Sequence, residues 1–344
     1  MDKILTILIP TYNMEAYLER CLNSLIVCTQ LMEELEILVI NDGSKDRSSE
    51  IAHHYEIRFP NSFRVIDKEN GNYGSCINRG LKEATGKYIK VLDADDWFDT
   101  AEFEQFIVSL KKIDVDLVLT SFNIISKGTN VSSTEYKPNL ESMKVYEFQK
   151  MDIQQAGVWM MHAVTYRVQL LKQINYHQSE GISYTDTEWT YFPLSDVESF
   201  AYVNRVVYQY FLGRDGQTMD ISVMVKSIWQ LEQIVKKLTD HLNNLPPEMR
   251  NSFSYITTNR QIECLTGVIY KICLINQSDD QFDNKRLMEF DSYICSFRPD
   301  LYERMAELKV KPFFPVHYVR FWRKYGKRFP VDWLRSIYRR IKYK

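Results

Sequence analysis

The chain has 344 residues, 45% hydrophobic and 26% charged, with 43 Lys and Arg against 45 Asp and Glu for a formal charge of −2. This is a globular composition, long enough for one large core plus an appendage. Six cysteines (Cys21, Cys28, Cys76, Cys264, Cys273, Cys295) show neither CxxC spacing nor partner histidines, which excludes a disulfide framework or zinc site and reads as buried thiols of a reducing compartment.

At the N-terminus, MDKILTILIPTYN holds one short apolar run that meets Pro10. That run is too short for a signal-peptide core or a membrane span, so a cytoplasmic location is expected. Residues 4–9 suit a strand buried on both faces. Residues 14–25 then put Leu18, Cys21, Leu22 and Leu25 on one helical face. A second strand at 36–40 (EILVI) ends in the turn signal NDGS. A helix over 46–59 and a strand over 63–66 follow, and Gly71, Gly74 and Gly80 surround the start of a helix that Gly86 closes. Residues 87–92 form a fourth strand, 100–113 a helix and 116–121 (DLVLTS) a fifth strand. This alternation implies right-handed βαβ units and a mostly parallel, Rossmann-like sheet flanked by helices.

From 123 to 219 short strands and loops mix. Beyond Asp220, Val225, Ile228, Leu231, Val235, Leu238, Leu242 and Leu245 make a helical stripe that ends at Pro246-Pro247. The expected division is an α/β domain over 1–219 and a helical region over 220–344. From Lys309 to the end there are twelve Lys and Arg against one acid, Asp332, interleaved with ten aromatic residues. Such a segment can lie on an anionic membrane surface or pack on the body with its charged face outward.

In an open α/β sheet, ligands bind beyond the carboxyl ends of the strands. Three such ends carry polar clusters: PTYN (10–13), NDGS (41–44) and LDADD (92–96). In an extended chain, Asp93 and Asp95 look the same way, while Asp96 alternates out and suits a helix cap near Trp97. Two carboxylates about 4 Å apart repel by about 4 kcal/mol at an effective dielectric near 20. A hard divalent cation bridging to a diphosphate relieves that repulsion; paired carboxylates in acid–base work are the alternative. No GxGxxG follows the first strand, so a dinucleotide site is not expected.

The ordered segments ILIPTYN, ILVINDGSKD and NGNYGSCINRGLKEATGKYIKVLDADD resemble the nucleotide-sugar-binding domain of glycosyltransferase family 2, the GT-A fold. The resemblance is clear over residues 4–99 and weaker to 219. It implies an inverting transferase that moves one sugar from a nucleoside-diphosphate-sugar, with UDP-sugar the expected class. The acceptor would be a hydroxyl of a glycan or lipid-linked molecule of a bacterial surface glycan, and Mn²⁺ or Mg²⁺ would assist. Carried over, Pro10, Thr11 and Tyr12 border the base, Asp42 meets base or ribose, and Asp93 and Asp95 match the family's DxD motif. Asp93 then lies toward the ribose and Asp95 at the metal. Asn78 and Gly80 match the helix before the fourth strand, but Ile77 stands where many members have Arg.

In ISYTDTEW (182–189), Asp186 matches the family's general base. Thr185 and Glu188 also have capping-box spacing, which would expose Asp186 at a helix start. Arg214 either reaches a phosphate or stays in water, and His162 is a core histidine or lines the acceptor pocket. The processive QxxRW motif is absent after Asp186. The basic end would associate with the inner face of the plasma membrane, and no nucleic-acid partner is expected. A nucleotidyltransferase and a non-catalytic nucleotide- or lipid-binding member are the competing readings.

Overall fold

The structure is a computed structural model that describes residues 2–126, 128, 133–135, 138–152, 154, 159–214, 216–218, 220–278, 280–310 and 316–330. The chain divides into two compact units, one of residues 1–215 with 244–258 and the other of 216–243 with 259–344.

The first unit runs β1 (Leu5–Thr11), α1 (Leu18–Asn23), α2 (Thr29–Glu33), β2 (Leu35–Asn41), α3 (Ser48–Arg58), β3 (Phe63–Asp67), α4 (Asn72–Glu83) and β4 (Tyr88–Val91). It continues through β5 (Trp97–Phe98), α5 (Thr100–Leu110), β6 (Leu117–Ser126), β7 (Ser133–Glu135), β8 (Val145–Glu147), β9 (Val164–Arg167), α6 (Val168–Gln173), α7 (Asp186–Tyr191) and β10 (Ser199–Leu212). One sheet takes the order β3-β2-β1-β4-β9-β6-β10-β5, with β7 on β6 and β8 on β10. The β3-β2-β1-β4 part is parallel, and strands of both directions meet beyond it. The continuous apolar runs of β1 and β2 are explained by burial on both faces.

Register fixes the functional edge. Thr11 lies opposite Asn41 and Leu8 opposite Val91, so the PTYN, NDGS and LDADD segments leave the sheet side by side. The first two loops brace each other: Asn13 N–H donates to Ser44 Oγ at 3.0 Å, and Lys45 N–H donates to Asn13 Oδ1 at 2.8 Å. Asn13 supports this in a left-handed conformation, φ +53°, which asparagine tolerates better than most residues.

Helix α4 shows why two of its glycines are needed. A Cβ on Gly80 would sit 2.1 Å from Leu8 Cδ1, and one on Gly74 only 1.9 Å from the Ser179 carbonyl oxygen. Gly80 therefore lets α4 press against β1. Ile77, standing where the resemblance expected Arg, is fully buried and belongs to the apolar face of α4.

Two sequence expectations change here. The middle region holds a 14-residue strand, β10, paired with β6 and β5. Register shifts around Val206 break its alternation and hide it from a period-two reading. The cap of α5 is Asp99, whose side chain accepts from Glu102 N–H at 3.0 Å, not Asp96.

The rest of the chain is mostly helical: α8 (Ile221–Lys226), α9 (Ile228–Asn244), α10 (Phe253–Lys271, of the second unit from 259 on), α11 (Asn284–Phe297), α12 (Pro299–Ala306), the short pair β11 (Lys309–Val310) and β12 (Val316–His317), and α13 (Tyr318–Tyr325). The expected stripe is the buried face of α9, through Ile228, Leu231, Val235, Leu238 and Leu242. Helix α13 packs by Tyr318, Val319 and Trp322, and Arg323 pairs with Asp291 at 2.7 Å. Within the basic end, 311–315 and 331–344 lie outside the described residues. Cys21, Cys76 and Cys273 are buried free thiols as expected, whereas Cys28, Cys264 and Cys295 are exposed. Among the described residues, no helix is long and apolar enough to cross a membrane.

Replacing Gly74 by Ala should destabilise the protein by about 1–3 kcal/mol through overpacking, although Ala is the better helix former by about 1 kcal/mol. Urea unfolding of G74A against wild type measures the sign directly.

Candidate active site

Beyond β4 the chain turns instead of running extended: Asp96 N–H donates to the Asp93 carbonyl at 3.0 Å. The expected extended backbone is thus replaced by a turn, while the charge of Asp95 still acts on Asp93. Asp95 is buried, and its carboxylate accepts from Arg214 Nε at 2.8 Å. Arg20 Nη2 donates to the Asp95 carbonyl at 2.7 Å, while its guanidinium lies 3.8 Å from the Trp97 ring centroid. Asp96 is only 1% exposed. Its two oxygens accept from Tyr208 Oη and Phe211 N–H, each at 2.7 Å. Burial, then the charges of Asp95 and Asp93, push the Asp96 carboxyl far above the usual range.

Asp93 is half-buried and accepts from Tyr73 Oη at 2.9 Å. Its backbone N–H donates to Tyr208 Oη at 3.1 Å. Desolvation by burial, followed by the charge of Asp95 and a smaller effect of Asp186, pushes its carboxyl up to about 7. Tyr208, on β10, thus ties two of the acids together.

Asp186 opens α7. Burial raises its carboxyl, while backbone N–H groups at the helix start pull the other way. Its charge acts on Asp93, Tyr73 and Tyr210, which sets it within electrostatic reach of the LDADD turn. The capping box does not form. Thr185 Oγ1 instead accepts from Gln178 Nε2 at 2.8 Å. The Glu188 carboxylate accepts from Ser179 N–H at 2.7 Å and Ser179 Oγ at 2.5 Å. Tyr184, two residues before Asp186, has φ +65°, a strained conformation for a bulky residue.

The remaining expected residues divide in two. Asn78 exchanges hydrogen bonds with Gln178, donating to its carbonyl at 2.9 Å and accepting from its N–H at 2.8 Å. Its amide also donates to Glu180 Oε1 at 2.8 Å. Asn78 and Gly80 are therefore engaged with protein, one bracing the approach to Asp186 and the other packing on Leu8. Asp42 follows β2 but is buried, accepting from Lys68 Nζ at 2.5 Å and Gly71 N–H at 3.0 Å. Thr11 is buried, with its hydroxyl on the Ile9 carbonyl at 3.2 Å. Pro10 is half-buried, and Tyr12 next to it is 46% exposed.

His162 is buried, its ring stacked on Tyr210 with centroids 4.1 Å apart and edge-on to Tyr208 at 4.6 Å. Burial, then the charge of Lys90, pushes its imidazole down to about 3, so it is neutral near pH 7. Lys90, fully buried on β4, donates to the His162 carbonyl at 2.8 Å and the Val164 carbonyl at 3.2 Å. Asp93, Asp96 and His162 each offer one ligand atom, all within 4.8 Å of one another. Acidic oxygens with a neutral imidazole fit a divalent cation. Tyr73, Tyr208, Arg20 and Lys68 were not singled out from the sequence. Nothing in their local sequence marks them, because each is brought to the site by tertiary packing.

The profile of the family "Glycosyl transferase family 2" matches residues 6–174. The Bacillus subtilis protein "Uncharacterized glycosyltransferase EpsJ" is 31% identical over 192 residues, 54% of each chain, so the match spans about half of that relative's length. Among solved structures, S. aureus TarS 1-349 has a TM-score of 0.63 at 16% identity, covering 87% of this chain and 82% of that one. Its complex with UDP-GlcNAc has a TM-score of 0.58. The mannosyltransferase PcManGT from Pyrobaculum calidifontis, in complex with GDP-Man and Mn²⁺, has a TM-score of 0.54 at 13% identity, covering 88% and 83%. At these identities the structural likeness is one of GT-A fold.

Lys90 provides a pH test. Burial lowers its ammonium to about 7, against about 10.4 in the unfolded chain. Between those values the unfolded state binds more protons, so this group adds stability as pH rises and loses it as pH falls through 7. Wild type should gain stability relative to Lys90→Met from about pH 7 to about pH 9, read by urea unfolding at both values.

Proposed function

We propose, for a chain whose residues 6–174 belong to glycosyl transferase family 2, that it transfers one sugar from a nucleoside-diphosphate-sugar to an acceptor hydroxyl, with inversion. The observation that carries this reading is that the charge of Asp186 acts on Asp93, which follows β4. TarS and PcManGT, which share the fold, are solved with UDP-GlcNAc and with GDP-Man and Mn²⁺. A UDP-sugar is the donor class we favour.

Asp186 takes the proton of the acceptor hydroxyl. The acceptor oxygen then attacks the anomeric carbon from the face opposite the diphosphate, and the bond to the diphosphate breaks with its electron pair. Burial raises the Asp186 carboxyl and so makes it a stronger base than a solvated aspartate. Arg214, tied to Asp95 by its Nε, holds positive charge beside the leaving diphosphate. The exposed ring of Tyr12, with Pro10, Thr11 and Asp42, borders the base. Asn78 and Gly80 act by position, through the 177–180 segment and the seat of α4. A divalent cation, Mn²⁺ or Mg²⁺, would be held at Asp95 and Asp93 and would supply Lewis-acid stabilisation of charge on the diphosphate.

The acceptor we favour is a glycan or lipid-linked hydroxyl of a cell-surface polymer. The basic end would serve it from an anionic membrane surface, at about 1 kcal/mol per basic residue near the headgroups.

Asp186→Asn should lower transfer by about 10²–10⁴-fold while leaving nucleotide binding intact; full activity in this variant would remove Asp186 as base. A thermal-shift panel of UDP, GDP, CDP and TDP with and without Mn²⁺ names the donor class, and stabilisation by none of them would oppose the transfer reading. Replacing the basic residues of 320–344 by Gln should abolish cosedimentation with phosphatidylserine vesicles, and unchanged cosedimentation would oppose membrane docking.

A further inference from the structure

We infer that His53 is a positioning residue for the donor. As an imidazolium it braces the loops after β1 and β2 through Asp67 and Asn41, and part of that brace is lost as pH rises. The inference rests on the transfer reading above, which sets those loops against the base.

His53 lies on α3, and both of its ring nitrogens meet carboxylates. Nδ1 is 2.7 Å from Glu56 Oε2 on the same helix, and Nε2 is 2.8 Å from Asp67 Oδ2 at the end of β3. An ionised carboxylate only accepts, and a neutral imidazole has a single N–H. The ring satisfies both acids only as the doubly protonated cation. Hydrogen bonds to Asp67 and then Glu56 outweigh burial and raise the imidazole above its ordinary value.

From Asp67 the contacts run on to the two loops. Its other oxygen, Oδ1, accepts from Asn41 Nδ2 at 2.6 Å and from Ser49 Oγ at 2.9 Å. Asn41 Oδ1 accepts from Ser44 N–H at 3.2 Å, and Ser44 Oγ accepts from Asn13 N–H at 3.0 Å. Asn41 ends β2 directly before Asp42, and Asn13 follows Tyr12. The series thus joins α3 and β3 to both loops. Among the described residues, His53 is the one cationic group paired with Asp67.

The charged groups that face the ring are Glu56 from α3 and Asp67 from β3. Nearby, Arg47 pairs with Glu50, Arg64 with Glu83 and Lys68 with Asp42. From α1 the charge of Glu19 acts on Tyr55, and β2 presents the uncharged Asn41. When the ring loses a proton, one nitrogen turns a lone pair toward a carboxylate, and the charge between the two acids disappears. The brace is whole below the unfolded value of about 6.5 and weakens as pH rises through the raised folded value.

The test is the affinity of the full chain, with Mg²⁺, for the nucleoside diphosphate that the thermal-shift panel selects, UDP in the favoured case. Calorimetry from pH 6 to pH 9 compares wild type with His53→Gln and Glu56→Gln, and Kd ratios at each pH cancel the ionisation of the nucleotide. Gln at 53 presents one N–H without the charge, as the neutral ring does. His53→Gln should therefore bind about two- to fivefold more weakly at pH 6, the range of a partly exposed charged pair. That gap should close toward pH 9, with its midpoint at the His53 titration seen by NMR of the histidine-labelled chain. Glu56→Gln should match wild type at pH 6 and bind more tightly than wild type at pH 9. Its amide donates to Nδ1 and leaves the ring proton on Nε2 for Asp67. A purely structural role would shift affinity equally at every pH. A His53→Gln ratio of one at pH 6, a ratio that does not change with pH, or a Glu56→Gln chain that weakens as wild type does overturns the inference and leaves the transfer reading standing. Absence of binding to all four nucleotides removes the transfer reading and the inference with it.

Discussion

Negative charge placed where water is scarce is the constraint around which the first unit is organised. Asp93, Asp95, Asp96 and Asp186 meet at one sheet edge, and burial works against the ionised form of Asp93, Asp96 and Asp186. Each acid is accommodated differently. Asp95 has a guanidinium, Asp96 a phenol and a backbone N–H, Asp93 a phenol and an open side, and Asp186 the N–H groups of a helix start. Burial pushes Asp93 up to about 7 and Asp96 further still. A site short of positive charge in this way is one that a cation and its diphosphate can complete.

The strands and helices supply those partners from distant parts of the chain. Strand β10 brings Tyr208 against the turn after β4, and the register shifts around Val206 set which residues face that turn. Helix α4 contributes Tyr73 to Asp93 and, through Gly74 and Asn78, seats the 177–180 segment. That segment is gripped from its other side by Glu188 of α7. Asp186 is therefore positioned by a chain of contacts that begins at the glycines of α4, which gives those glycines a purpose beyond their turn chemistry.

Beyond β2, charge is balanced more fully. Asp42 already has Lys68 and the Gly71 N–H, and Lys68 also donates to Ser75 Oγ at 2.9 Å. A ligand that approaches Asp42 meets an ion pair instead of a bare carboxylate. The two sides of the edge thus differ in kind, one balanced within the protein and the other left acidic.

By itself, the amino-acid sequence determined the alternation of strand and helix up to β6, the three polar strand ends, the buried face of α9 and the presence of Asp186 at a helix start. These features are local, since apolar periodicity and turn residues act over a few neighbours. It also carried the family resemblance, because the motifs of β1, β2, α4 and β4 follow one another within the first hundred residues. Strand β10 was hidden by its bulges, the expected cap at Asp96 belonged to Asp99, and the capping box of α7 gave way to contacts with Gln178 and Ser179. The partner of each acid was decided only in the tertiary structure. Arg214 lies 119 residues from Asp95, and Tyr208 lies 112 from Asp96. No local pattern couples positions so far apart; the sheet does so by bringing β10 alongside the turn that follows β4.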